Sequence, residues 1–185
     1  MKERIDNIIK MLVYIAAIIF IAFCINKKPA GLGDYYSYIS YSVTLTSLIF
    51  FIYEKFLWRY IPWNRPPMLK RNYAGEISYI YEGKPGKKSM RIVVKQTCLT
   101  IRIETETDIN ESYTVTGNIV HEYGKNVLYY TYITNPSALQ QKSNPIQHGT
   151  CRMVLNDDNK TISGNYWTSI QTAGDIFWEE LVEDV

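Results

Sequence analysis

Residues 11–25 read MLVYIAAIIFIAFCI, fifteen positions without a charge. Ile8, Ile9 and Lys10 extend this run to about the ~20 residues that a bilayer core requires, provided the Lys10 stem snorkels toward the headgroups. A cleaved signal peptide also begins with basic residues before an apolar run. Here, however, the following INKKPAGLGD puts two lysines where a cleavage site wants small residues. A second uncharged run, YYSYISYSVTLTSLIFFIY at residues 35–53, lies between Asp34 and the pair Glu54-Lys55. It is richer in Tyr, Ser and Thr, so a soluble amphipathic helix or a strand pair is the rival reading. Its hydroxyls can bond back to the helix backbone or across to a neighbouring helix, which makes them tolerable in lipid. Pro29, Gly31 and Gly33 between the runs suit a tight hairpin. Residues 1–60 are therefore predicted to be a two-helix transmembrane hairpin with spans at about 8–25 and 35–53.

Basic residues at the ends of the spans set the direction. Lys2, Arg4 and Lys10 precede the first run and Lys55, Arg59, Arg65, Lys70 and Arg71 follow the second, against Lys27 and Lys28 between them. The excess predicts that both termini lie in the cytoplasm. Trp58, Tyr60 and Trp63 resemble an interfacial aromatic belt. The run IPWNRPP blocks helix continuation, because proline removes a donor and restricts the residue before it, so residues 61–67 read as a linker.

A mean hydropathy of -0.17 over 185 residues hides this division. Residues 1–59 hold seven Lys/Arg and four Asp/Glu of the chain's 20 and 18, a net of +3, which leaves thirteen and fourteen, a net of -1, for the rest. Neither part carries the basic stripe of a DNA or RNA tracker. Cys24, Cys98 and Cys151 are far apart and form no CxxC, which argues against a disulfide-stapled secreted domain.

From residue 68 to 185 the periodicity turns to alternation. Strands are predicted at 73–81, 90–96, 98–105, 113–121, 127–134, 149–155, 161–168 and 175–182, separated by turn-rich segments such as EGKPGKK, TDINES, EYGKN and NDDNK. One face is apolar: Tyr73, Ile77, Tyr79, Tyr81; Met90, Ile92, Val94; Leu99, Ile101, Ile103; Cys151, Met153, Leu155. The other carries Arg91, Lys95, Arg102, Glu104 and Arg152. Eight antiparallel strands with one dry face and no helix to cover it are best satisfied by closure into an up-and-down, lipocalin-like β-barrel, with a two-sheet sandwich as the alternative. An outer-membrane barrel would need the apolar face outward.

Motifs for catalysis are missing. His121 and His148 fall in different segments without metal-ligand spacing, there is no GxSxG or phosphate-cradling loop, and Asp157-Asp158 sits in the turn NDDNK. NES at Asn110 and NKT at Asn159 match glycosylation acceptors that a cytoplasmic domain would not present to that machinery. The chain is read as a non-enzyme without metal or cofactor. What stands out instead is tyrosine, sixteen in all. Tyr79, Tyr81, Tyr130, Tyr132 and Tyr166 fall on the inward face, either as core aromatics or as a pocket whose flat rings suit a stacked nucleobase. Arg152 with His148 and Thr150, and Thr168 with Thr172, are candidates for phosphate oxygens. Arg152 fits a solvated outer face equally well.

Two spans leading into a small all-β barrel resemble the two-transmembrane, β-strand-rich effectors of bacterial CBASS anti-phage operons. The exit segment with Trp and Pro, the strand opening YAGEI, the strand and loop YYTYITNP, the HGT start at His148 and a closing GxYxTxxxTxGxI over residues 164–176 are also similar. The resemblance implies a protein of the bacterial inner membrane whose barrel senses a cyclic dinucleotide made by a partner nucleotidyltransferase, then oligomerises and disrupts the membrane to kill the infected cell. Ser42, Thr44, Thr46 and Ser47 would supply polar contacts between helices. The strand opening departs from the Trp-x-Gly start of lipocalin-type barrels, with Tyr73 in the Trp place. Two other readings compete: a constitutive membrane-tethered lipocalin-like module for an apolar ligand or partner protein, and a pore that acts without ligand.

Overall fold

The protein is described by a computed structural model covering residues 2–61, 66–81, 84–108, 110–136 and 145–182; the side chains of residues 2–4 and of Tyr81 lie outside that description, as do Trp63 and Arg65. The chain divides into two compact units, residues 1–65 and 66–185.

The first unit contains helices α1 (Lys2–Lys27) and α2 (Leu32–Lys55), followed by the single 3-10 turn Leu57–Arg59. Among the described residues, one helix is long and apolar enough to cross a membrane, over Ile5–Lys27. Helix α2 has the length, but its tyrosines, serines and threonines dilute it below the same apolarity. Phe23 stacks on Tyr38 with ring centroids 5.8 Å apart and meets Tyr41 at 6.0 Å, joining the two helices. Ser42, Thr46 and Tyr53 are the buried positions of α2. The Ser42 hydroxyl donates to the Tyr38 carbonyl at 2.6 Å, the back-bonding that lets a hydroxyl sit on a dry helix face. Of the four hydroxyl residues expected between helices, Ser42 and Thr46 are buried within the chain and Thr44 and Ser47 are exposed on its surface. Trp58, assigned above to an aromatic belt, is fully buried, whereas Tyr60 is exposed.

The second unit is a closed antiparallel barrel in which each strand pairs with its sequence neighbours: β1 (Asn72–Tyr81), β2 (Lys84–Gln96), β3 (Ile101–Glu106), β4 (Asn110–Glu122), β5 (Lys125–Pro136), β6 (Gln147–Leu155), β7 (Thr161–Thr168) and β8 (Ala173–Glu180). All eight predicted strands are present. Closure removes the edges that an open sheet of this composition would expose. The alternation read from the sequence points inward as expected, with Ile92, Val94, Ile103, Cys151, Met153 and Leu155 buried. Each large aliphatic side chain buried here contributes ~1.5–3 kcal/mol.

The closing seam pairs β1 with β8, and Gly75 faces Trp178 across it. A Cβ on Gly75 would come 2.5 Å from Ile92 Cδ1, 2.8 Å from Met90 Cγ and 3.1 Å from Trp178 Cδ1, so the missing side chain makes room for all three. Trp178 in turn packs 5.7 Å from Tyr73 and 5.9 Å from Tyr130, centroid to centroid. Tyr73 thus fills the place left by the absent Trp at the strand opening. Its hydroxyl also accepts from Lys70 N–H and donates to the Asn159 carbonyl, both at 2.8 Å, tying the incoming chain to the β6–β7 turn.

Three local expectations need correction. Residues 84–88, read as loop from the run EGKPGKK, are the first part of β2, because the β1–β2 ladder continues to the pair Tyr81 and Lys84 and carries Pro85 and Gly86 with it. Leu99, placed on the dry face, is exposed: Thr97 Oγ1 accepts from the Leu99 and Thr100 amides at 3.3 and 3.0 Å, forming a hydroxyl-capped turn before β3 begins. In β4 the register shifts between Thr114 and Thr116, leaving Val115 bulged outward and exposed. Thr114 Oγ1 there replaces a ladder partner, accepting from Ile103 N–H and donating to its carbonyl, each at 2.9 Å.

Candidate ligand-binding site

Opposite the end where the chain enters, the barrel interior widens into a cavity of about 380 Å³. That lies toward the small end of the ~300–1,000 Å³ typical of small-molecule sites. The cavity exists because side chains of the inward positions change along the strands. Leu, Ile, Met and Trp fill the lower half, while Tyr, Thr, Ser, Asn and Gln occupy the same parity near the β1–β2, β3–β4, β5–β6 and β7–β8 connections.

The walls carry four of the five tyrosines predicted as inward. Tyr79 (β1), Tyr130 and Tyr132 (β5) and Tyr166 (β7) all line the cavity, with Tyr130 and Tyr132 in ring contact at 5.8 Å. The fifth, Tyr81, ends β1, and its side chain lies outside the described residues. Thr168 and Thr172 line the rim, their hydroxyls 2.6 Å apart across the β7–β8 turn. His148 and Arg152 are not with them. Cys151 and Met153 point inward on β6, so the alternation turns residues 148, 150 and 152 outward. His148 is exposed. Arg152 is engaged on the outer face, its Nε donating to Tyr129 Oη at 2.9 Å and its Nη2 to Glu122 Oε2 at 3.3 Å. The predicted phosphate set is thus divided by the barrel wall.

Several lining residues escaped the sequence reading. Thr105, Thr107, Asn110, Ser112, Thr134 and Gln147 bring hydroxyl and amide groups, with Ser112 and Thr134 bonded to each other at 2.9 Å. Lys88 is the charged member of the lining among the described residues, and its Nζ rests 5.6 Å from the Tyr79 ring centroid. It shares the parity of Met90 and Ile92, a signal that was present in the sequence but hidden by reading 82–88 as a loop.

Burial fixes the protonation of this interior. Desolvation pushes the phenol of Tyr166 up to about 12 and raises those of Tyr132 and Tyr130 well above the ordinary phenol range. It also raises the Cys151 thiol to about 12, against a smaller lowering by its bond to Tyr130. At neutral pH the tyrosines are therefore uncharged hydrogen-bond donors with open ring faces, beside one ammonium. Such a lining suits a ligand with planar rings, many acceptors and negative charge. No group of His, Cys, Asp and Glu able to hold a metal ion occurs among the described residues.

Comparison with known proteins bears on the same region. A family model described as "Cap15, cyclic dinucleotide receptor domain" matches residues 65–180, which includes the whole barrel. Over 184 residues, 98% of this chain and 100% of the relative, the sequence is 35% identical to CD-NTase-associated protein 15 from Staphylococcus schleiferi.

Proposed function

Because the chain belongs to the family of CBASS effectors built on the Cap15 cyclic dinucleotide receptor domain, we propose that its barrel cavity binds a cyclic dinucleotide supplied by a partner nucleotidyltransferase and that binding switches on a membrane-disrupting assembly. The observation that carries this reading is a closed barrel with a widened end lined by four tyrosines, a belt of hydroxyl and amide groups and Lys88. Tyrosine faces offer stacking for the two bases, and Lys88 offers a charge-assisted bond to a phosphodiester oxygen. The Thr168–Thr172 pair and the Ser112–Thr134 pair offer neutral donors to the remaining phosphate and base edges. Tyr79, Tyr130, Tyr132, Tyr166, Thr168 and Thr172 are the proposed binding residues. The chemistry required is recognition, so the protein acts as a receptor rather than an enzyme.

The helical unit supplies the output. In this proposal both helices cross the bacterial inner membrane, with the two termini in the cytoplasm, and copies of the chain assemble through them. Support comes from the apolar span Ile5–Lys27 and from buried Ser42 and Thr46 on α2. The Thr46 hydroxyl has no hydrogen-bond partner among the described residues, a polar group suited to a contact with another helix. A ligand drives assembly only by the difference in its affinity for the assembled and unassembled states.

The test is the full chain reconstituted in liposomes loaded with a self-quenched dye and challenged with a panel of cyclic dinucleotides. Dye release that depends on one or a few members of the panel, with matching binding by calorimetry, is the expected result. Release without any nucleotide would favour a constitutive pore, and binding without release would favour a tethered binding module.

A further inference from the structure

Each cavity tyrosine stands directly opposite a glycine on a neighbouring strand. Tyr79 pairs with Gly86 across β1 and β2, Tyr130 with Gly117 across β4 and β5, Tyr132 with Gly149 across β5 and β6, and Tyr166 with Gly174 across β7 and β8. The glycines are not equivalent. At Gly86 an added Cβ would come 2.6 Å from Tyr79 Cζ and 2.8 Å from its hydroxyl, and at Gly149 it would collide with Cζ and the hydroxyl of Tyr132. In both cases the phenol end of the ring occupies the space a side chain would take. At Gly174 an added Cβ would collide first with the Ser78 carbonyl oxygen and then meet Tyr166 Cε1 at 2.9 Å, so backbone packing requires that glycine first and the Tyr166 ring, by its edge rather than its phenol end, second. At Gly117 the nearest atom, the Ile101 carbonyl oxygen, is 3.3 Å away, with Tyr130 Cβ at 3.4 Å, and the Tyr130 ring does not use that space.

A ring laid over a glycine turns one face to the wall and the other to the lumen. A ring opposite any larger residue must tilt into the lumen instead. The two seams concerned, β1–β2 and β5–β6, are separated by four strands in either direction around the eight-stranded barrel, so they face each other across the cavity.

We propose that Gly86 and Gly149 are specificity-determining residues: by leaving shelves on opposite walls they hold Tyr79 and Tyr132 flat, as two facing platforms that each take one planar base. The proposal rests on the cyclic dinucleotide reading above and deepens it, assigning which tyrosines stack and why the space between them stays open. It matches a ligand with two rings at opposite ends and the phosphates between them, one within reach of Lys88 beside the Tyr79 platform. A ligand with a single planar ring would use only one platform. Tyr130, deeper and without a shelf, forms the floor with Cys151.

The experiment is calorimetric titration of the full chain in detergent micelles with cyclic di-AMP, cyclic di-GMP, cyclic di-UMP and their mixed-base counterparts. Gly86→Ala and Gly149→Ala are expected to weaken the best wild-type probe tenfold or more while the melting temperature stays within a few degrees, because the clash is with the movable end of a side chain. Tyr132→Phe keeps the platform and Tyr132→Leu removes it; stacking on an aromatic ring is worth about 5- to 150-fold in affinity, so the Phe variant should bind at least fivefold more tightly than the Leu variant. Folded alanine variants that bind within threefold of wild type would overturn the shelf proposal while leaving the receptor reading intact. If the alanine variants fail to fold, the Phe and Leu pair decides, and equal affinity overturns it. A wild-type chain that binds no member of the panel removes the receptor reading, and the shelf proposal falls with it.

Discussion

Tyr73→Phe removes one oxygen atom at the closed end of the barrel and leaves the ring. In the wild type the hydroxyl accepts from Lys70 N–H and donates to the Asn159 carbonyl, each at 2.8 Å. Asn159 sits in the left-handed region, φ +56, in the turn between β6 and β7, so the phenol holds an otherwise strained turn against the chain entering β1. The variant loses two hydrogen bonds with net worth of about 1 kcal/mol each. Lys70 and Asn159 are half-buried rather than sealed, so water recovers part of the loss and about 1–2 kcal/mol is expected. For a domain of this size that is a fall in melting temperature of roughly 3–10 °C. Differential scanning calorimetry of the full chain in micelles reads the shift, and nucleotide titration of the same sample reads the cavity. The site lies at the far end of the barrel from the cavity, so affinity should change less than twofold. A loss below about 0.5 kcal/mol, or a loss of affinity matching the loss of stability, would refute the reasoning that this hydroxyl is a structural clamp and the opposite end the binding site.

Alkaline pH offers a second test. Burial raises Tyr73 and Tyr166 to about 12, lifts Tyr130 and Tyr132 well above the ordinary phenol value, and takes Cys151 from 9.0 to about 12. Groups whose folded pKa is raised contribute stability that is intact below the unfolded value and is lost as the unfolded chain releases protons first. Melting temperature should therefore be flat to about pH 9, begin to fall there through Cys151, and drop steeply above pH 10; a flat profile to pH 11.5 would contradict this. Arg152→Gln breaks only the half-buried outer-face cluster with Tyr129 and Glu122, so it should cost about 1 kcal/mol by chemical denaturation and leave nucleotide affinity unchanged. A tenfold loss of affinity would place the ligand on the outer face. At pH 7 the Cys151 thiolate is about a thousandfold scarcer than for a thiol at its ordinary value, so iodoacetamide should label it far more slowly in the folded chain than in the same chain unfolded, read by peptide mass spectrometry. Labelling at equal rates would show that the floor of the cavity is open to water.

Alternation made the barrel legible. Met90, Ile92 and Val94, or Cys151, Met153 and Leu155, fix which face of a strand is dry, and eight such strands with nothing to cover them leave closure as the economical solution. The same rule places Tyr79, Tyr130, Tyr132 and Tyr166 inside. It fails where a turn and a strand compete for the same residues. Pro85 and Gly86 read as punctuation, yet in the paired ladder they are strand, and with them Lys88 moves from a loop into the lining. Arg152 and His148 show the rule at work again: the alternation that puts Arg152 on the wet face of β6 holds, and both residues lie on the other side of the wall from the cavity.

By itself, the sequence determined an apolar helix of membrane-spanning length, an all-β domain with one dry face, and a tyrosine-rich inward surface without catalytic motifs, because periodicity and hydropathy are properties of consecutive residues. Only the tertiary structure decided where the interior is full and where it is hollow, that Trp178 from the last strand packs on Tyr73 from the first to anchor the core, and that Gly86 and Gly149 face Tyr79 and Tyr132. Those facts depend on the register between strands, and register is a relation between residues distant in the chain that no local pattern carries.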